Sequence, residues 1–245
     1  MLAMNESTNT RLRAGQLIAQ GRAADAECLL CAALDTWPDD GALRLLLGRV
    51  RHKLGDFRAA AASFEHAATL VPLDATNQCL LADCYGQVGL ARQGIELLKM
   101  LAEDENCPTD LLPRLATGFS RLGDAQRALD VCRVAAERLP NQAESHFAVA
   151  FYLRKLGFPA QVALHSMARA FELAPHHPVY RSNLAFLLVE EGREDEAYEL
   201  LRELPPDACV CSCQLRRMMR LFQTLGDHER WSACSLRLQR MRTNP

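Results

Sequence analysis

The sequence predicts an all-α array of about seven helix–turn–helix repeats, and three observations carry that prediction. Gly21, Gly55, Gly89, Gly123, Gly157, Gly192 and Gly226 recur at intervals of 34, 34, 34, 34, 35 and 34 residues in a chain holding 13 glycines. Such a ladder marks one supersecondary element copied along the chain. Small residues recur in the same frame. With each ladder glycine at position 15, position 8 reads Ala14, Gly48, Ala82, Ala116, Ala150 and Ala185, and position 20 reads Ala26, Ala60, Gly94, Ala128, Ala163 and Ala197. Between these columns the apolar residues are spaced by three or four, as in Leu43, Leu46, Leu47, Val50 and Leu54, which is the period of a helix with one buried face.

The frame divides the chain into a flexible N-terminus (1–6), six repeats (7–40, 41–74, 75–108, 109–142, 143–177 and 178–211) and a degenerate seventh repeat or C-terminal cap (212–245). Each element has a reason in the residues. Positions 8 and 20 are small because the two helices of a repeat approach most closely there, ridge into groove. Position 15 is glycine because the chain reverses there and the first helix ends in a left-handed residue. Asp56, Asp124 and Asp227 follow the glycine, where a carboxylate suits the start of the second helix. Pro38, Pro72, Pro140 and Pro175 stand at position 32 and stop the second helix. Repeat three stops later, at Cys107-Pro108, and repeat six earlier, at Pro205-Pro206. In the seventh repeat, Met219 and Trp231 fill the positions that close packing reserves for small residues, as befits a terminal repeat.

Composition supports helix and narrows the function classes. Hydrophobic residues are 49% and aromatic residues 6% of the chain, and β-branched runs are nearly absent, against a sheet. A net charge of −2 supplies no global field for nucleic acid or an acidic membrane. The polar first ten residues lack a signal-peptide core and no uncharged run has membrane-spanning length. A soluble, cytoplasmic protein is expected. Cys28, Cys31, Cys79, Cys84 and Cys132 fall in helical patterns, where a reduced thiol serves as a small core residue.

These positions together resemble the tetratricopeptide repeat, a 34-residue helix–turn–helix with small residues at 8, 20 and 27, Gly at 15 and Pro at 32. Repeat two carries the likeness best, through Leu47, Gly48, Gly55, Phe57, Ala60, Phe64, Ala67 and Pro72. The aromatic usual at position 4 is missing from every repeat, and position 11 keeps one only in Tyr85, Phe119 and Phe222. The resemblance spans about residues 7–240 and implies a right-handed superhelical α-solenoid.

The resemblance also implies that the first helix of each repeat lines a concave groove. The expected peptide-binding residues are Arg49, Lys53, Asp83, Arg114, Thr117, Arg121, Phe147, Phe151, Arg154, Asn183 and Phe186. His52, Ser120, Lys155, Glu190, Arg216, Arg217 and Arg220 stand in the same set. Cations outnumber carboxylates there, with phenylalanines beside them, so the expected partner is a protein or peptide with acidic and apolar side chains. Asn183 stands where relatives often pair an amide with a bound peptide backbone. The alternative is that these residues form a solvated face, with Phe147 and Phe151 partly in the core. Leu45, Arg49 and Leu80 depart from the carboxylate clamp of chaperone-binding members, so binding to chaperone C-termini is not expected.

Catalytic constellations are absent from the sequence: it has no GxxxxGK[ST] loop, no G-x-S-x-G elbow and no H-E-x-x-H. No enzyme activity and no cofactor are expected. Cys209, Cys211 and Cys213, with Cys234 or His228 as a fourth ligand, are a weak candidate set for Zn²⁺ or Cu⁺. C-x-C-x-C lacks the usual C-x₂-C pairing, and the alternative is three reduced thiols in a connection. Cys28-Leu-Leu-Cys31 lies mid-helix, away from the helix N-terminus that a redox pair needs, and reads as core filling.

The function expected is a non-catalytic protein–protein interaction scaffold. The alternative is a regulatory or substrate-recruiting subunit of an enzyme encoded as a separate chain. A nucleic-acid reading requires a continuous basic stripe, which Glu190, Glu191, Glu194, Asp195 and Glu196 interrupt. Self-association through the atypical seventh repeat stays open.

Overall fold

The computed structural model describes residues 2–104, 107–209 and 211–243. Its described residues form fourteen α-helices and no strand. These are α1 (Leu2–Ala19), α2 (Ala23–Thr36), α3 (Gly41–Leu54), α4 (Phe57–Leu70), α5 (Ala75–Gln87), α6 (Ala91–Glu103), α7 (Leu112–Arg121), α8 (Ala125–Arg138), α9 (Ala143–Lys155), α10 (Ala160–Leu173), α11 (Pro178–Glu190), α12 (Glu194–Leu201), α13 (Ser212–Thr224) and α14 (His228–Thr243). Short 3₁₀ turns at Thr109–Leu111 and Pro206–Ala208 precede α7 and α13. The segment expected to be flexible, 1–6, lies within α1 from Leu2 onward. Among the described residues no helix is long and apolar enough to cross a membrane.

The chain divides into two compact units, Met1–Val131 and Cys132–Pro245, and the division falls within α8. In the first unit each helix from α1 to α7 packs on the next. The first helices of successive repeats also touch: α1 on α3, α3 on α5, α5 on α7. In the second unit α9 to α14 pack in sequence order, and α11 touches α13. Nearest-neighbour packing of this kind lets a repeat array grow without enlarging one core.

The glycine ladder is a series of identical helix ends. Among the described residues the seven ladder glycines alone have positive φ, between +73° at Gly192 and +87° at Gly123. The residue after each glycine donates its N–H to the carbonyl five residues back. Examples are Leu90 to Tyr85 at 2.7 Å, Asp124 to Phe119 at 2.9 Å and Phe158 to Leu153 at 3.0 Å. That pattern satisfies carbonyls otherwise orphaned at a helix C-terminus and requires a left-handed residue, which glycine adopts without steric cost. Asp56, Asp124 and Asp227 then cap the second helices, accepting from the N–H groups of Ala59, Arg127 and Arg230, each at 3.0 Å.

The small columns are where helices touch. Ala14, Ala26, Ala60, Ala128, Ala150, Ala163, Ala185 and Ala197 are fully buried. A Cβ on Gly94, at position 20, would stand 2.8 Å from the carbonyl oxygen of Ala82, at position 8 of the same repeat. Backbone meets side chain there, so position 20 has no room to grow. In the seventh repeat the buried residues are Leu215, Met218, Leu221, Phe222 and Cys234, while Met219 and Trp231 are half-buried.

The missing aromatic at position 4 has a structural replacement. Arg44 donates Nε and Nη2 to the carbonyl of Pro38 at 2.8 and 2.5 Å, and Arg181 does the same to Pro175 at 3.4 and 3.1 Å. His146 Nε2 lies 2.9 Å from the carbonyl of Pro140. These three position-4 side chains thus tie their helices to the position-32 proline of the preceding repeat by a hydrogen bond instead of ring packing, while Gln78 reaches the neighbouring Leu73 carbonyl at 2.8 Å.

Candidate functional site

In the first unit the face made by α3, α5 and α7 is held by polar side chains that reach from one first helix to the next. Asp74 caps α5 by accepting from the N–H of Asn77 at 2.8 Å, and its second oxygen accepts from Asn77 Nδ2 at 2.9 Å. Asn77 is fully buried. Its Oδ1 accepts from Arg49 Nε on α3 at 2.7 Å, and Arg49 Nη2 reaches Asp74 at 3.2 Å. Six residues beyond Asn77 on α5, Asp83 gathers a cationic or protonatable group from each side. His52 Nε2 of α3 lies 2.8 Å from Asp83 Oδ2, and Arg121 Nη1 of α7 donates to Oδ1 at 3.2 Å. The Asp83 side chain is only 17% exposed.

Beside this bridge lies an open cavity of about 340 Å³ lined by His52, Cys79, Leu80, Asp83, Arg114 and Thr117 among others. Arg114 is exposed and has no carboxylate partner among the described residues. Thr117 donates its hydroxyl to the carbonyl of Pro113 at 2.8 Å. Burial pushes the Cys79 thiol up to about 11, so it contributes an apolar wall and not a nucleophile. Lys53 turns toward α1 and donates to the carbonyl of Ile18 at 3.3 Å.

The second unit repeats the device with other residues. Glu190, at the end of α11, accepts from Arg154 Nη2 of α9 at 2.5 Å and from Arg217 Nη2 of α13 at 2.9 Å. Glu190 is 37% exposed, so water screens this pair more than the Asp83 pair. Arg154 also donates to the carbonyl of Phe158 at 2.5 Å. Phe186, expected on the binding surface, is 4% exposed and roofed by the Arg217 guanidinium 4.2 Å from its ring centroid. Phe147 is half-buried against Tyr180, ring centroids 5.1 Å apart, and belongs to the core around Ala143 and Ala170. Asn183 donates Nδ2 to the carbonyl of Val179 in its own helix at 2.8 Å. Phe151 is the member of this set left 48% exposed.

Two classes of expected residue therefore part company. Arg49, Asp83 and Arg121 meet on one face of the first unit, with Arg114 and Thr117 at the adjoining cavity. Phe151 and Arg154 stand on α9 of the second. Phe147 and Phe186 serve packing. Asp74 and Asn77 were not singled out by the sequence, although a signal existed. Position 3 is a buried column holding Leu43, Leu111 and Tyr180, so an asparagine in it must find partners.

The cysteine set differs from a metal site. Cys211 and Cys213 are joined as a disulfide, which removes two of the three thiolates. Cys209 is buried with its Sγ 3.4 Å from Met218 Sδ. No cluster of three or more His, Cys, Asp or Glu among the described residues is placed to hold a metal.

No protein-family model and no curated protein matches the chain by sequence. Solved structures do match. The C-terminal part of a TPR repeat-containing protein from Cytophaga hutchinsonii aligns over 96% of both chains with a TM-score of 0.73 at 10% identity. A tetratricopeptide repeat protein from Parabacteroides merdae aligns over 96% of this chain and 92% of its own, with a TM-score of 0.66 at 14% identity. YrrB, a TPR protein with an unusual peptide-binding site, aligns over 71% of this chain and 89% of its own, with a TM-score of 0.53 at 20% identity. Paired helices, positive-φ glycines recurring every 34 or 35 residues and these likenesses converge on one fold, that of tetratricopeptide-repeat structures.

Proposed function

We propose that this chain is a non-catalytic scaffold that binds an extended peptide along the first-helix face of its first unit. The observation that carries the reading is the open cavity between α3, α5 and α7, with Leu80 at its wall and Arg114 at its edge. A groove that combines an apolar wall with an exposed guanidinium suits a segment carrying a carboxylate next to an apolar side chain. The peptide-binding site of YrrB, on a similar fold, supports the same class of ligand.

The basis for an acidic preference is narrower than a count of cations. Arg49, Arg121 and Arg154 already hold carboxylates of the chain itself, and their charge is largely spent on bracing helices. Arg114 is left for the partner in the first unit, and the exposed ring of Phe151 offers an apolar contact in the second. The reading is tested by selecting a displayed library of random peptides on the full chain. Enriched sequences should pair Asp or Glu with Leu, Ile or Phe. Arg114→Glu should weaken the selected peptides by about tenfold or more, the worth of one charged contact, while Arg58→Glu on α4 should not. Absence of any enriched motif, or equal binding by Arg114→Glu, would refute it.

A further inference from the structure

We propose that the Cys211–Cys213 bridge is a reversible thiol–disulfide exchange site that takes an acidic low-molecular-mass thiol of the glutathione class. Its two sulfurs are joined, whereas the other eight cysteines are free. Of these, Cys28 is exposed and Cys31 half-exposed on α2, so Cys28 does not fill the core as its helical pattern suggested. Cys79, Cys84, Cys107, Cys132, Cys209 and Cys234 are buried. Burial pushes the Cys84 and Cys132 thiols up to about 12 and the Cys234 thiol up to about 11, so they stay protonated and inert. Cys213 is exposed and Cys211 half-exposed.

The bridge joins Cα atoms 5.4 Å apart across two positions of sequence. A ring that small removes little freedom from the unfolded chain, so it is a poor structural staple. Its position favours chemistry. Cys211 is the N-cap of α13, a helix of 13 residues, and its Sγ accepts from the N–H of Gln214 at 3.4 Å. The same N–H and the positive end of the helix stabilise a Cys211 thiolate once the bridge opens. Cys213, Arg216 and Arg220 follow at i, i+3 and i+7, one face of the helix. All three are exposed, and neither arginine has a carboxylate partner among the described residues. Arg217 is different, since Glu190 and Phe186 engage it. An exposed cysteine on the same helix face as two uncommitted guanidiniums matches a thiol that carries carboxylates.

The step balances without a cofactor. The thiolate of the incoming molecule attacks Cys213 Sγ, a mixed disulfide forms on Cys213, and Cys211 leaves as a thiolate held by the Gln214 N–H. A second thiolate attacks the ligand sulfur of that mixed disulfide, forming the ligand disulfide and releasing Cys213, which takes a proton from water. Two ligand thiols are oxidised and the bridge is reduced; ligand disulfide runs the sequence backward.

The test uses the full chain equilibrated in buffers of glutathione and glutathione disulfide at fixed ratios, quenched with acid, alkylated and mapped by mass spectrometry. Cys211 and Cys213 should convert together with a defined midpoint, with a glutathione adduct on Cys213, while Cys84 and Cys132 stay unlabelled. Both thiols free at every ratio, or a bridge that opens only on unfolding, would overturn the proposal. Arg216→Glu with Arg220→Glu should slow exchange with glutathione by about tenfold and leave exchange with uncharged 2-mercaptoethanol unchanged. The same ratio of variant to wild-type rate with both thiols would remove the acidic-ligand assignment. With one cysteine removed at a time, the thiol remaining in Cys213→Ser should react with iodoacetamide at lower pH than that remaining in Cys211→Ser. Identical profiles would show that the helix terminus does not select the leaving sulfur.

Discussion

The two compact units use one device at different depths. In the first, Asp83 on α5 collects His52 and Arg121 from the first helices on either side. In the second, Glu190 on α11 collects Arg154 and Arg217 in the same way. Asp83 stands at position 9 of its repeat, mid-helix, on a short side chain close to the floor. Glu190 stands at position 13, at the helix end, on a longer side chain reaching into water. The low bridge leaves a cavity open beside it, and Arg114 stays uncommitted. The high bridge draws Arg217 across Phe186 and closes the surface there. One electrostatic solution to bracing neighbouring repeats thus leaves an open cavity on one face and roofs part of the other.

Substitutions can break this comparison, and the largest effects belong to packing. Phe186→Ala should cost about 3–5 kcal/mol, the usual range for a buried phenylalanine. Phe151→Ala, at an exposed position, should stay within about 0.5 kcal/mol. Denaturant titration of both variants checks the pair, and equal losses would mean that Phe186 is not roofed. Next in size are the bridges. Asp83→Ala leaves Arg121 and His52 facing a half-buried gap and should cost about 1–3 kcal/mol. Glu190→Ala removes a more solvated pair and should cost about 0.2–1 kcal/mol. A thermal melt in low and high salt sharpens the contrast, because only the Glu190 variant's loss should shrink as the wild-type pair is screened.

Gly123→Ala places a Cβ on a residue at φ +87° and should cost about 1–2 kcal/mol. Gly118→Ala tests side-chain crowding instead, since its Cβ would meet Leu98 at 2.7 Å with φ in the ordinary region. The smallest effect is acid dependence. In the first unit, burial pushes the Asp40 carboxyl up, but the Ser7 hydroxyl, the Leu43 N–H and the Arg11 charge outweigh it and hold it below the usual range. In the second, the Arg230 N–H leads in lowering Asp227. A carboxyl lowered in the folded state stabilises above its unfolded value, about 3.9, and loses that contribution as pH falls through the folded value. The melting temperature should therefore decline below about pH 4, and Asp40→Asn or Asp227→Asn should each flatten part of that decline.

Much of the fold was legible because its determinants are local and periodic. Gly21 to Gly226 announce helix ends by their spacing, and Ala60 or Ala163 announce close approach by their size. Asp56, Asp124 and Asp227 were readable as caps because a cap bonds within three residues. The candidate site was legible only as a list. Arg49, Arg121 and Arg154 looked available in sequence, yet each is matched by a carboxylate 25 to 38 residues away. Nothing local distinguishes them from Arg114. The Cys211–Cys213 bond is not legible in the sequence, where C-x-C-x-C reads as a metal set or as three reduced thiols in a connection, and only the backbone turn into α13 brings the two Cα atoms to 5.4 Å.

What the sequence determined by itself is the repeat: where each helix stops, which positions must be small and which must be buried. These follow from backbone conformation and from a period of 34 residues, lengthened by one residue only between Gly157 and Gly192. What only the tertiary structure decided is which charges remain unspent. Charge pairing between repeats depends on side-chain length, position along the helix and depth in the groove, and those are properties of packed neighbours, set after the repeats have stacked.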